Sequence, residues 1–298
     1  MSKNMQSDEK VKLSSTIAKS DDGTIQITFT IPYSEIKETQ DKVVDELKKD
    51  IEIPGFRKGN APKEKVAERI PQNTLLERTL SKILPKLVGD AIKEHKITPV
   101  IYPKFELIKA VPDEDWQIRA VTCELPKIDL GDYKKEISGK ARADKLWVPG
   151  KDDKKKEASR EEKEQEIINI LLDSVKVTIP KVLIEEEVNS RLAKLLERLE
   201  KLGLSLDSYL SSIGKTAVVL RQEYEKASND ALAIDLILSE IALQENLSAD
   251  PKEVDAAVNA AKADPKLAEE LDTPERRRFI EVILKRRKAL NSLISLVG

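Results

Sequence analysis

Pro54-Gly55-Phe56-Arg57-Lys58-Gly59-Asn60-Ala61-Pro62 separates two strongly helical segments. Gly55, Gly59 and Asn60 permit positive φ, while Pro54 and Pro62 hold φ at about −65°. The pattern predicts a tight, constrained loop with Phe56, Arg57 and Lys58 at its tip. An aromatic beside two cations suits a partner that is both apolar and anionic. Aromatic and arginine side chains are common interface anchors, and arginine grips phosphate or carboxylate bidentately. The same residues also fit an ordinary turn between helices, with Phe56 packed inward and the cations solvated.

Working outward toward the N-terminus, Val11–Lys19 and Thr24–Ile31 read as strands, joined by a hairpin turn at Asp21-Asp22-Gly23. In the second strand Ile25, Ile27, Phe29 and Ile31 fall on one face. Pro32 ends it, and Ser34 reads as the N-cap of a helix carrying Ile36, Val43, Val44 and Leu47. Residues 1–10 read as a disordered tail, which also holds both methionines, Met1 and Met5. On the other side of the loop, Lys63–Ile70 is a short helix broken by Pro71. Asn73 then caps a longer helix, which Pro85 is expected to kink. Thr98–Tyr102, Lys104–Ala110 and Trp116–Glu124 read as strands. Two strands, then helices, then more strands make an α+β domain with helices on one face of an antiparallel sheet.

Gly55-Phe56-Arg57-Lys58-Gly59 followed by Pro62 resembles the ribosome-docking signature of bacterial trigger factors. The order of elements over 11–128 is similar to the ribosome-binding domain of that family. The resemblance implies a loop that projects from the helical side and makes Gly55, Phe56, Arg57, Lys58 and Gly59 the ribosome-binding residues. It implies as partners the protein and RNA at the ribosomal tunnel exit.

Residues 129–160 differ in kind. Gly131, Gly139, Pro149, Gly150 and the mixed-sign run Lys151-Asp152-Asp153-Lys154-Lys155-Lys156-Glu157 read as a solvated linker, with an extended piece near 146–148. From Glu161 the pattern is helical almost without pause. Helix starts stand out at Asp250-Pro251-Lys252-Glu253, at Asp264-Pro265 and at Thr273-Pro274-Glu275. Ile179-Pro180, Leu183-Ile184 and Glu187 resemble the opening of the trigger factor C-terminal domain. That resemblance implies that 161–298 forms an all-α cradle for nascent or unfolded polypeptides. Tyr209, Leu210 and Ile213, on a short helix between longer ones, are the candidates for its exposed surface. The resemblance also allows self-association as a homodimer.

Trigger factors carry a prolyl isomerase domain between these two parts. Here the interval is shorter than the roughly 50 residues a domain needs, and its aromatics are Tyr133 and Trp147. The expectation is therefore a non-enzymatic chaperone without isomerase activity.

Composition agrees. The 298 residues suffice for two or three domains, with 36% charged, 40% hydrophobic and 4% aromatic. A net charge of −2 leaves any anion binding to a local patch. The single cysteine, Cys123, points to a reducing compartment. With no apolar leader or membrane-spanning run, a soluble cytoplasmic protein that makes no membrane contact is expected. His95 sits at a helix end, where a cation suits the dipole. One His and one Cys offer neither a nucleophile–base pair nor a zinc site, so no cofactor or metal is expected. Gly214-Lys215-Thr216 imitates the end of a phosphate loop, but the glycine needed five positions earlier is Tyr209. The alternative function is a helical scaffold whose basic-aromatic loop binds another protein or RNA.

Overall fold

A computed structural model describes residues 14–57, 59–145, 159–260 and 273–297. The chain divides into two compact units, Met1–Leu125 and Pro126–Gly298.

The first unit has, among the described residues, strands β1 (Ser14–Lys19), β2 (Thr24–Ile31), β3 (Lys104–Lys109) and β4 (Trp116–Cys123), with helices α1 (Tyr33–Leu47), α2 (Lys63–Ala67) and α3 (Gln72–His95) between β2 and β3. The sheet order is β1-β2-β4-β3, antiparallel throughout. The alternation in β2 does what period two requires. Ile25, Ile27, Phe29 and Ile31 are each at most 1% exposed and pack with Ile118 and Ala120 of β4 and with Ile83, Leu87 and Ala91 of α3. The β1–β2 hairpin closes as expected, with Gly23 at φ +86° and Thr24 N–H and Oγ1 both donating to the Asp22 carboxylate. Cys123 lies in β4 as a buried residue.

Three local expectations are corrected. Ser34 does not cap α1, because the helix already begins at Tyr33. The Tyr33 N–H donates instead to Asp115 Oδ1 at 2.9 Å, so the cap comes from the β3–β4 turn. Asn73 does not cap α3 either, since that helix begins at Gln72 without a side-chain cap. Residues 98–102 are not a strand. Pro99 and Pro103 remove two donors, and the segment is held by Val100 N–H to Cys123 O and Thr122 Oγ1 to Ile101 O. Helix α3 runs through Pro85 as one assigned helix. Its last turn carries His95, whose Nε2 lies 2.9 Å from Ser15 Oγ.

The second unit contains helices α4 (Tyr133–Lys145), α5 (Arg160–Ser174), α6 (Lys181–Lys201), α7 (Leu206–Ser212), α8 (Ala217–Gln244), α9 (Pro251–Ala260) and α10 (Pro274–Val297). Its core joins Ile167, Ile170 and Leu171 of α5, Ile237 and Ile241 of α8, and Ala289 and Leu293 of α10. Helix α4 corrects the expectation of a linker over 129–160. Tyr133 and Ile137, one turn apart on α4, are buried in this core together with Leu130, which lies just before the helix. Tyr133 Oη donates to Glu245 Oε1 at 3.2 Å, and the same carboxylate accepts from Lys134 Nζ at 2.8 Å and Ser292 Oγ at 3.2 Å. One glutamate thus ties α4 and α10 to the end of α8. Helix α9 starts where expected, with Asp250 N–H donating to Glu253 Oε2 and Asp250 Oδ1 accepting from Lys252 N–H, and Thr273 caps α10. The expected tail at 1–10, the extended piece near 146–148, Trp147 and the Asp264-Pro265 start lie outside the described residues.

Candidate functional site

The loop between α1 and α2 rests on its two feet. Ile53 is 8% exposed and Ala61 4%, and both join a small core with Val44, Val66 and Ile70. From Ile53 the chain turns at Pro54-Gly55, where Gly55 has φ +87° and Phe56 N–H donates to Ile53 O at 3.0 Å. Proline followed by a positive-φ glycine is the sequence of a type II turn. A second turn, closed by Asn60 N–H to Arg57 O at 2.9 Å, places Gly59 at φ +86°. Lys63 Nζ to Asp45 Oδ2 at 2.5 Å then fastens the start of α2 to α1. Two buried feet and two closed turns hold the tip outward. Phe56 is 46% exposed, so the inward-packed reading does not apply. Arg57 is exposed and has no ion-pair partner among the described residues. Lys58 lies outside the described residues. The loop therefore offers a half-bare ring and an uncommitted guanidinium on a constrained frame.

In the second unit the three expected residues differ in exposure. Ile213 is 37% exposed and Tyr209 half-buried, but Leu210 is 8% exposed. The larger apolar surface was missed. Leu196, Leu202, Leu204, Val218 and Val219 are all exposed, and with Ile213 they occupy the end at which α6 passes through α7 into α8. Leu202 and Leu204 flank Gly203, where Gly203 N–H to Glu200 O and Leu204 N–H to Leu199 O close the helix. Leucines on both sides of a helix-ending glycine have little helix face left to bury them, and that was the available signal.

The remaining chemistry is quiet. Burial, aided by the Asp22 charge, pushes the Cys123 thiol up to about 11. Among the described residues no cluster of three or more His, Cys, Asp or Glu is arranged to hold a metal, and no helix is long and apolar enough to cross a membrane. Tyr133, one of the two aromatics in the shortened interval, is spent on the helical core.

The family described as bacterial trigger factor protein matches residues 13–146, and the one described as the bacterial trigger factor C-terminus matches 152–295. Only residues 147–151 separate the two matches, and no isomerase domain lies between them. Over 108 residues the chain is 36% identical to the trigger factor of Streptococcus agalactiae, 35% to that of Streptococcus mutans and 36% to that of Streptococcus sanguinis. Each match covers 36% of this chain, and the chain thereby spans about a quarter (25%) of those relatives. A solved trigger factor chaperone, described for promiscuous substrate recognition in folding and assembly, matches 96% of this chain and 100% of its own. The TM-score is 0.62 at 15% identity, a likeness of fold.

Proposed function

This chain belongs to the bacterial trigger factor family, and on that premise we propose that it is an ATP-independent, cytoplasmic chaperone that docks at the ribosomal tunnel exit through Gly55–Gly59 and lacks prolyl isomerase activity. The observation that carries the reading is Phe56, held 46% exposed on a loop whose feet are buried. A residue that costs stability to expose, on a frame built to expose it, suits an interface anchor. Phe56 would bury against ribosomal protein, and Arg57 and Lys58 would meet RNA phosphate or carboxylate. Binding that includes phosphate contacts weakens as salt rises. Tethering raises the local concentration of the chaperone near an emerging chain.

Holding an unfolded chain falls to the exposed apolar end of α6, α7 and α8. Each Å² of apolar surface that a client buries there contributes about 25 cal/mol. Scattered, shallow contacts sum to binding that reverses without nucleotide hydrolysis.

Cosedimentation with ribosomes tests the docking half. Replacing Phe56, Arg57 and Lys58 by Ala should move the protein to the supernatant with its circular dichroism unchanged. Pelleting that survives the triple substitution favours the scaffold reading. A protease-coupled assay on a Xaa-Pro peptide should show no turnover, and turnover abolished by substituting Tyr133 or Trp147 would contradict the non-enzymatic assignment.

A further inference from the structure

Helix α10 packs Ala289 and Leu293, near its end, into the core of the second unit, while its first half keeps a bare side. Phe279 is 58% exposed, Ile283 44% and Val282 38%. They follow one another at i, i+3 and i+4, so they form one apolar ridge on the helix. Beside Val282 a groove of about 350 Å³ runs between α8 and α10, walled by Ala242, Leu243 and Leu247 and rimmed by Lys285. Leu243 is 70% exposed, so the ridge continues across the groove onto α8. Single apolar side chains on a surface are ordinary, but a contiguous set on two neighbouring helices marks a contact surface.

The same stretch is basic. Arg277, Lys285, Arg286 and Lys288 are engaged with Asp255, Glu281, Asp235 and Glu253 in turn. Arg276, Arg278 and Arg287 are exposed and have no ion-pair partner among the described residues. Against these three guanidinium groups α10 sets one further carboxylate, the exposed Glu275, so its bare side is positive. Across the groove, Glu240 of α8 accepts from Gln244. At 1.5 Å per residue, Arg276 and Arg287 stand about 16 Å apart along the helix axis, one at each end of the apolar ridge.

We propose that this face of α8 and α10 rests on an anionic membrane surface. Phe279, Val282, Ile283 and Leu243 enter the boundary between headgroups and acyl chains, the depth at which the apolar side of an interfacial helix settles. Arg276, Arg278 and Arg287 meet the headgroup phosphates, which a guanidinium grips bidentately. Each cation near an anionic leaflet adds to the attraction, and salt screens it. Lying on a bilayer differs from crossing one. Among the described residues no helix is long and apolar enough to cross, and this contact asks for none. It amends the expectation that the chain makes no membrane contact. Aliphatic side chains at the centre of the patch tell against RNA, whose bases stack on aromatic rings. The inference rests neither on docking at the ribosome nor on holding an unfolded chain.

Flotation of the full chain with lipid vesicles tests this. Vesicles of three parts phosphatidylcholine to one part phosphatidylglycerol should carry the protein upward, and phosphatidylcholine alone should bind it at least about tenfold more weakly. Binding should fall as sodium chloride rises. Replacing Arg276, Arg278 and Arg287 together by Gln should weaken binding to the anionic vesicles about a hundredfold, at roughly fivefold per charge. Phe279→Ser with Ile283→Ser should weaken it at least about tenfold with the charge unchanged. All five side chains are exposed, so both variants should keep their circular dichroism. Equal flotation with the two kinds of vesicle, or unchanged flotation of either variant, would overturn the proposal. Binding of single-stranded poly(U) that both variants lose would assign the face to RNA instead. Both variants should still pellet with ribosomes and still suppress aggregation of an unfolded protein. Loss of vesicle binding and of aggregation suppression together would assign the face to clients and overturn the membrane reading. The variant with Phe56, Arg57 and Lys58 replaced by Ala should float as the unaltered chain does, and flotation lost there would move the membrane contact to the basic loop.

Discussion

Two glycines of the first unit isolate the energy that holds the basic loop in shape. A Cβ added at Gly55 or at Gly89 meets nothing within 4 Å, so sterics with neighbours cancel from the comparison. The difference is backbone conformation. Gly55 has φ +87°, whereas Gly89 sits inside α3. An L-residue in the left-handed region costs about 1–2 kcal/mol. Against this, Ala reduces the entropy of the unfolded chain, worth about 0.4–1 kcal/mol. Gly55→Ala should therefore lose about 1 kcal/mol. Gly89→Ala pays no left-handed cost and should gain about 0.5–1 kcal/mol, as for a glycine inside a helix. The two variants should differ by about 1.5–2 kcal/mol, at least tenfold in the folding equilibrium. Urea denaturation followed by Trp116 fluorescence in a Trp147→Phe background reads this directly, since Trp116 lies in the first core. Gly55→Ala leaving stability unchanged or raised would refute the argument that the turn depends on positive φ. Gly89→Ala losing stability would refute the claim of open space.

Three further outcomes follow from the packing. Burial raises the pKa of Glu245, but Lys134, Ser292 and Tyr133 outweigh it and hold the carboxyl below its ordinary value of 4.5. Its stabilisation is thus present above that value and lost as pH falls through the folded pKa. Glu245→Gln should cost about 1–2 kcal/mol at neutral pH, a figure reduced for the half-exposed Lys134, and should flatten the acid limb of the second unit's thermal stability. Ser228 is fully buried and its Oγ has no hydrogen-bond partner among the described residues, so Ser228→Ala should be neutral or gain about 1 kcal/mol in thermal unfolding. Cys123, buried with its thiol pushed to about 11, should resist a thiol reagent at neutral pH in the folded protein and react at once in urea.

The sequence by itself determined whatever depends on a few neighbouring residues. Alternation placed Ile25, Ile27, Phe29 and Ile31 on the buried face of β2. Turn chemistry set the Asp21–Gly23 hairpin and the glycine-bounded loop, and capping residues set the starts of α9 and α10. Each is local because backbone sterics and short hydrogen bonds act within a few residues. The tertiary structure decided the rest. Asp115 caps α1 from 82 positions away in place of Ser34. Pro99 and Pro103 keep 98–102 out of the sheet although Val100 and Ile101 suit a strand. Sparse apolar positions at Tyr133 and Ile137, with Leu130 just ahead of them, became part of a core only because α5, α8 and α10 supply the surface they bury against. Leu210 turned inward while Leu202 and Leu204 stayed bare, since a leucine's burial is set by what stands opposite it and not by its own hydrophobicity.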